Sequence, residues 1–572
     1  MKTPSPPILP PRALNWSIAA STAAAISYAD RGTSAIAASS LLDELQWNEG
    51  QLGQVQSAFF VGYALTQVLG GLLGGSTATT RGAATVEDGS NSIDIDEGSG
   101  DISTNSDAAT TNQQRFRQIL PVSLVLTGIT TLLFPIAATA GPNWAILDRF
   151  SLGLLEGVLL PAAMAGVGST TATTAIATTS SSAEDAIYTS DDAITRTRKN
   201  SIRQNNKDIK ATASAIVIAG CYLGSAWAYL SAWIILSESS QLHLAQLGLL
   251  QHDSSSAPSV WPLLFYVNGI LSLVITVLFS GEFDLSFWRN NNVIHMNGSK
   301  KYHDNADTTP SSTMVIMDDA IAIVKETLSS KSGRAIVAAQ VGQGALLYSI
   351  ASWGPLYLEK FAHISTATAN AVYTSSSLSL VSSTAVAASI AASSLVVPQV
   401  TQALIGVSIG VGADKLSATF GSRLTRRSLQ FISGVGPAMI LVYLSFLASA
   451  NSSGDRAMFL SPAFLFGAAQ TISAVSLGAV SVSHLEVATP SKAGAVYALG
   501  NVFAAISGSI TVTLFGFFLD KGHGQQVATT ASDFSLPFQI VALLSAVGSI
   551  YYSLSIESDI EIGMQERKKH VM

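Results

Sequence analysis

Pro142–Gly166, PNWAILDRFSLGLLEGVLLPAAMAG, is the stretch on which the reading of this chain turns. At 1.5 Å per residue it is long enough to cross a bilayer, and Asp148, Arg149 and Glu156 are its only charged residues. Arg149 and Glu156 stand two helical turns apart on one face. Each would cost about 2.5–3.5 kcal/mol at the membrane centre on insertion scales, so both need a reason to be there. Either they line a polar pathway, or they neutralise partners on neighbouring helices.

The whole chain agrees with a membrane setting. It is 48% hydrophobic and only 12% charged over 572 residues, about half the charged content of soluble domains. Its one cysteine, Cys221, excludes an intramolecular disulfide framework and any cysteine-cluster metal site. No nucleophile motif or phosphate-binding loop stands out, so no enzyme, metal or organic cofactor is expected. The net charge of −7 comes largely from Ser/Thr-rich acidic loops and points to no nucleic acid.

Working outward gives an all-α membrane protein of twelve transmembrane helices in two six-helix bundles. A tail, 1–12, precedes the first bundle, 13–280, which two polar low-complexity insertions interrupt at about 76–114 and 169–210. A central cytoplasmic loop, 281–333, separates it from the second bundle, 334–556, and a charged tail, 557–572, follows. No cleavable leader is expected, because the first apolar stretch has the length of a span. Span eight is the least regular; a minimal helix over Val396–Ala413 leaves an Ala/Ser/Val-rich insertion before it. With both termini on the cytoplasmic side, the outer loops carry only Lys360, Arg456 and Lys521 among the lysines and arginines. That asymmetry is what the positive-inside rule requires.

Other polar residues sit within apolar spans. Tyr28-Ala-Asp30-Arg31 lies in the first, where the two charges could instead pair and snorkel to the interface. Gln56, Tyr63 and Gln67 recur along one face of the second. The glycines Gly70, Gly71, Gly74 and Gly75 imply close helix packing there.

Six spans, a long loop and six more is the layout of major facilitator carriers. Gly406-x3-Gly410-x-Gly412-Ala-Asp414, followed by Arg423, Arg426 and Arg427, resembles the loop motif of that superfamily; the equivalent place after span two lacks the Ala-Asp pair. The resemblance sharpens to the anion/cation symporter branch, which includes sodium/phosphate cotransporters, sialin, vesicular glutamate carriers and plant plastid phosphate and ascorbate carriers. It is carried by Tyr28-Ala-Asp-Arg31, by the second-span run Gly53–Gly71, and by Arg149-x3-Gly153-x2-Glu156-Gly157-x3-Pro161. Gly220-Cys-Tyr-Leu-Gly224, Trp353-Gly-Pro355-x-Tyr357 and His484-Leu-Glu486 add to it.

The resemblance implies a secondary active transporter of a small anion, inorganic phosphate or an organic anion, working by alternating access. Sodium, a proton or the membrane potential would drive it. Arg149 and Arg31 would hold the anion, with Gln56, Tyr63 and Tyr348 as neutral hydrogen-bonding groups. Glu156 and Asp30 would couple or gate transport. Asp414, Arg423 and Arg427 would form an inner-gate charge network. Several relatives carry histidine or arginine early in helix seven, where this chain has Gly342-Gln343-Gly344, so one anion contact is expected to be absent. The expected partners are a small anionic solute and the lipid bilayer, with no protein partner. A plastid envelope is one expected location, with the termini then stromal. A carrier of a neutral solute and a non-transporting sensor with the same fold remain the alternatives.

Overall fold

The computed structural model describes residues 11–74, 104–164, 215–237, 240, 259–278, 312–373, 383–450, 461–488, 490–520, 530–557 and 562. The expected insertion at 169–210, residues 76–103 of the other, residues 281–311 of the central loop and most of both tails lie outside the described residues.

The described chain is a succession of long helices, the form in which a segment in hydrocarbon satisfies all of its own backbone groups. In the first bundle these are α1 (Pro11–Ile36), α2 (Glu49–Gly74), α3 (Thr104–Ala140), α4 (Pro142–Glu156), α5 (Ala215–Leu236) and α6 (Trp261–Leu278). In the second they are α7 (Lys331–Tyr373), α8 (Ser383–Phe420), α9 (Ser422–Ala450), α10 (Pro462–Ser473), α11 (Pro490–Leu519) and α12 (Ser535–Ser555). Helix α10 continues through a 3₁₀ turn, Ala474–Gly478, into Val480–Val487. Short linking helices occupy Ala38–Glu44 and Ser312–Ser329.

Nine helices among the described residues are long and apolar enough to cross a membrane, and the chain is an integral, multi-pass membrane protein. The other three, α1, α2 and α4, fall below that mark because they carry the glutamines and charges of the interior, or, for α4, because the regular helix is only 15 residues long. Apolar side chains such as Ile136, Val277, Met439, Phe517 and Leu543 stand exposed on the bundle surface, where lipid would cover them.

Three boundaries differ from the sequence expectation. Helix α3 starts at Thr104, inside a run expected to be loop; no glycine or proline interrupts it until Pro121, and Ala108, Ala109, Gln113, Gln114 and Arg115 favour helix. Helix α8 starts at Ser383 rather than near Val396, since the Ala-rich run before it is itself a good helix former. The central loop expected at 281–333 holds a helix, Ser312–Ser329, directly ahead of α7.

Glycines bring the first-bundle backbones together. A Cβ on Gly153 would lie 2.1 Å from the Phe59 carbonyl oxygen, one on Gly62 2.2 Å from that of Phe150, and one on Gly157 2.1 Å from Thr66 Oγ1. Helices α2 and α4 therefore cross backbone on backbone, as small residues permit in membranes. Gly220 and Gly224 seat α5 on α1 in the same way, against the carbonyls of Ser21 and Ala25. Between the bundles, α2 packs along α11, and α1 touches α7.

Candidate functional site

These crossings fix the charged residues of α1 and α4. Ser27 and Arg31, one turn apart on α1, face Glu156 of α4. Arg31 Nε donates to Glu156 Oε2 at 3.0 Å, Arg31 Nη2 donates to Ser27 Oγ at 3.2 Å, and Ser27 Oγ donates to the same Glu156 oxygen. The guanidinium carbon lies 4.3, 4.6 and 4.4 Å from the ring centres of Tyr28, Phe59 and Tyr63, a cation–π box that replaces part of its lost hydration.

Arg149 is held differently. Two turns before Glu156, it is 1% exposed, and its guanidinium carbon lies 4.0 Å from the Phe134 ring of α3 and 5.2 Å from the Phe265 ring of α6. Its Nε and Nη2 are buried with no hydrogen-bond partner among the described residues. Asp148, Asp30 and Glu156 act on it through space, but none of them forms an ion pair with it among the described residues. Asp30 is likewise fully buried, with both carboxylate oxygens unpartnered among the described residues. Among the described residues the first bundle thus shows one ion pair, Arg31–Glu156, in which Arg31 Nη1 and Glu156 Oε1 remain without partners, and one buried arginine, Arg149, outside any ion pair.

A cavity of about 190 Å³ opens between the bundles, and Arg31, Gln56, Tyr63, Arg149 and Tyr348 all line it. The five residues expected to meet the solute are thus brought to one space. Tyr348 packs at 4.4 Å, centre to centre, on Phe60 of α2, and leans on Gly508 of α11. Both amide atoms of Gln56 and of Gln67 are buried without partners among the described residues. Glu156 and Asp30 lie behind the cavity wall rather than among its lining residues. The second bundle adds a group that the expected site did not contain: Gln340, Gln343, Gln399, Gln402 and Gln470. Intramembrane glutamines at one-turn spacing, Gln340/Gln343 and Gln399/Gln402, were the signal available for them.

No family model matches the chain. Among solved structures, it is similar to a bacterial homologue of the human lysosomal transporter Spinster, inward-facing and unoccupied, at 13% identity over 95% of this chain and 97% of that one, with a TM-score of 0.52. It is similar also to the inward-open xylose transporter XylE from E. coli, at 10% identity over 95% and 96% of the two chains, TM-score 0.51. The nucleoside transporter NupG follows at 15% identity over 95% and 99%, TM-score 0.50. The fold is that of the major facilitator transporters.

Within the curated proteins, a stretch of 133 residues is 28% identical to the sodium-dependent phosphate transport protein 1, chloroplastic, of Arabidopsis thaliana. That match spans 23% of this chain and 19% of the relative's length. The structures of major facilitator fold named above are transporters, not enzymes.

The loop motif of the second bundle takes an unexpected form. Asp414 lies on α8, but its side chain falls outside the described residues. Arg427 donates to the carbonyls of Leu554 and Ile556 at 3.2 and 2.9 Å, capping the end of α12. Arg423 is exposed and sits 3.8 Å from Glu557. The tight ion pair belongs to Arg426, which donates from Nη2 to Glu486 at 2.8 Å and from Nη1 to the Gly478 carbonyl at 2.7 Å. The geometry favours Arg426 because it is the arginine of this run that faces inward against α10.

Proposed function

We propose that the protein is a secondary carrier that moves a small anion across its membrane by alternating access, with Arg149 as the residue that holds the anionic group. The observation that carries this reading is the Arg149 guanidinium: buried, braced by two phenyl rings, facing a cavity between the bundles and short of an ion-pair partner among the described residues. A guanidinium presents paired N–H donors that fork onto a carboxylate or phosphate, and in a low-dielectric site an uncompensated cation attracts an anion strongly. Arg31, already paired, supplies the second positive wall. Gln56, Tyr63 and Tyr348 supply neutral contacts. Glu156 and Asp30, buried beside this wall, are the carboxylates placed to couple proton or sodium movement to that of the solute. The local similarity to a phosphate transport protein supports an anionic cargo, and the inward-facing relatives support rocking of two bundles about a central site.

The experiment is uptake of labelled phosphate, glutamate and ascorbate into proteoliposomes, with sodium, proton gradient and membrane potential imposed one at a time. Uptake of an anion that Arg149→Ala abolishes supports the reading. Absence of flux from folded protein, or flux untouched by the substitution, overturns it in favour of a neutral solute or a sensor.

A further inference from the structure

Two opposite charges of the first bundle, Arg149 and Asp30, have no hydrogen-bond partner on atoms that match each other. On Arg149 these buried atoms are Nε and Nη2, whose N–H bonds run parallel along one edge of the guanidinium and form the fork that grips a carboxylate. On Asp30 they are Oδ1 and Oδ2, the two acceptors such a fork takes. Both residues are buried, but only Arg149 of the two lines the cavity. We propose that Asp30 is an internal substitute for the transported anion: it takes the Arg149 fork as the bundles close over a cavity without solute, and the solute displaces it. This rests on Arg149 as the anion holder.

Three carboxylates act on Arg149 through space, Asp148, Asp30 and Glu156, and the fold leaves one of them suited to the fork. Asp148 is the preceding residue of α4, and successive side chains of a helix do not face each other. Glu156 stands two turns away on the same helix, a rise of about 10 Å, and its Oε2 already serves Ser27 and Arg31. Asp30 comes from another helix, α1, with neither oxygen engaged among the described residues. One face of α3 joins it to Arg149. Phe134 lies against the guanidinium at 4.0 Å, and Thr131, the residue three before it, stands beside Asp30. The levels at which α3 meets the two charges therefore differ by about 4.5 Å, less than one helical turn. Rotamer changes of a long arginine side chain cover such a step.

Electrostatics supply the need for the exchange of partners. While the cavity is open, water at its wall screens the Arg149 charge. Closure removes that water, and an arginine enclosed without a counter-charge bears the desolvation penalty of a buried ion. A bound anion cancels the charge on the loaded carrier. On the return of the empty carrier no carboxylate among the cavity-lining residues is there to do so. Asp30, just behind the wall, completes a pair from within the bundle. Competition follows, because Asp30 and the solute claim the same two N–H groups. The internal pair lowers the apparent affinity for the solute by the fraction of carriers in which it is formed.

The test compares two modes of transport in proteoliposomes of the full-length protein, with phosphate, glutamate and ascorbate each tried as the labelled anion. Exchange of labelled for unlabelled anion never requires the empty carrier to cross, whereas net uptake into anion-free vesicles does. Asp30→Asn keeps the size of the side chain and removes its charge. It is expected to lower net uptake relative to exchange at least about tenfold, the factor of one lost charge-assisted hydrogen bond, and to bind the anion more tightly, read by thermal stabilisation. Asp30→Glu is expected to restore part of the net uptake. Should Asp30→Asn not fold, the double variant Asp30→Asn/Arg149→Gln is expected to melt above Arg149→Gln alone, because it strands neither charge. An unchanged ratio of net uptake to exchange, weaker anion binding in Asp30→Asn, a wild type that exchanges without net uptake, or a double variant no more stable than Arg149→Gln overturns the inference. Abolition of all transport by Arg149→Ala then still keeps the Arg149 reading. A wild type that moves no anion overturns both.

Discussion

Arg31 of α1 and Glu156 of α4 meet at 3.0 Å, Nε to Oε2, in a place where the glutamate is fully buried and the arginine nearly so. Removing one partner of such a pair strands the other in a low-dielectric interior. Glu156→Ala is expected to lower stability by about 3–5 kcal/mol, whereas Glu156→Gln, which keeps an acceptor for Ser27 and Arg31, loses about 1–2 kcal/mol. Thermal unfolding in detergent measures both, and equal losses would mean that the charge contributes nothing beyond the hydrogen bonds.

The α2–α4 crossing gives a second expectation. Gly153→Ala would push a methyl to 2.1 Å from the Phe59 carbonyl, an overpacking that costs about 1–3 kcal/mol or more. Gly412→Ala meets nothing within 4 Å and should be neutral or slightly stabilising in its helix. A comparison of melting temperatures for the two variants is enough; a Gly153→Ala protein as stable as the wild type would show that the crossing opens freely.

In the second bundle, Arg426 and Arg423 stand three residues apart yet should behave oppositely. Arg426→Ala breaks a mostly buried pair with Glu486 and a bond to the Gly478 carbonyl, so a loss of about 3 kcal/mol is expected. Arg423 is half exposed, at 3.8 Å from Glu557, and its removal should change stability by less than about 1 kcal/mol. A double-mutant cycle of Arg426 with Glu486 should return a favourable coupling.

Cys221 is the chain's only cysteine and lines the cavity, although it is only 4% exposed. Labelling by a small thiol reagent should be slow, should slow further when a bound anion fills the cavity, and should vanish in Cys221→Ser. Mass spectrometry of the intact protein follows all three; labelling indifferent to every tested anion would place the solute elsewhere.

Much of this arrangement was legible before any coordinates. Polar residues in apolar spans have few places to go but inward, so Arg31, Gln56, Tyr63 and Arg149 could be picked out, with helical spacing aligning Gln56 with Tyr63 and Arg149 with Glu156, whereas Tyr348 was reached only through the family resemblance. What spacing could not give was pairing between helices. Whether Glu156 would meet Arg31 or another partner depends on how closely the helices approach, which for α2 and α4 is set by Gly62, Gly153 and Gly157, and for α1 and α5 by Gly220 and Gly224, each against a segment distant in sequence. The glutamines of the second bundle were passed over although Gln399 and Gln402 fall one turn apart inside the helix expected over Val396–Ala413, because spacing alone does not say which face of that helix meets the cavity. The loop arginines were recognised as a group, but which of them turns inward depends on the α10 backbone at Gly478, which no local pattern announces.

Where α2 lies against α11, Gly53 faces Gly516, and a Cβ on Gly53 would stand 3.1 Å from the Gly516 Cα and 3.2 Å from the Val512 carbonyl. Interlocked side chains at such a seam would have to leave their rotamer wells each time one bundle moved over the other, and the ruggedness of that path would set the pace of the cycle. Two bare backbones offer no teeth to disengage. For the proposed rocking of the two bundles, this point of the seam therefore presents main chain rather than side chains, so no rotamer has to change there as one bundle slides over the other.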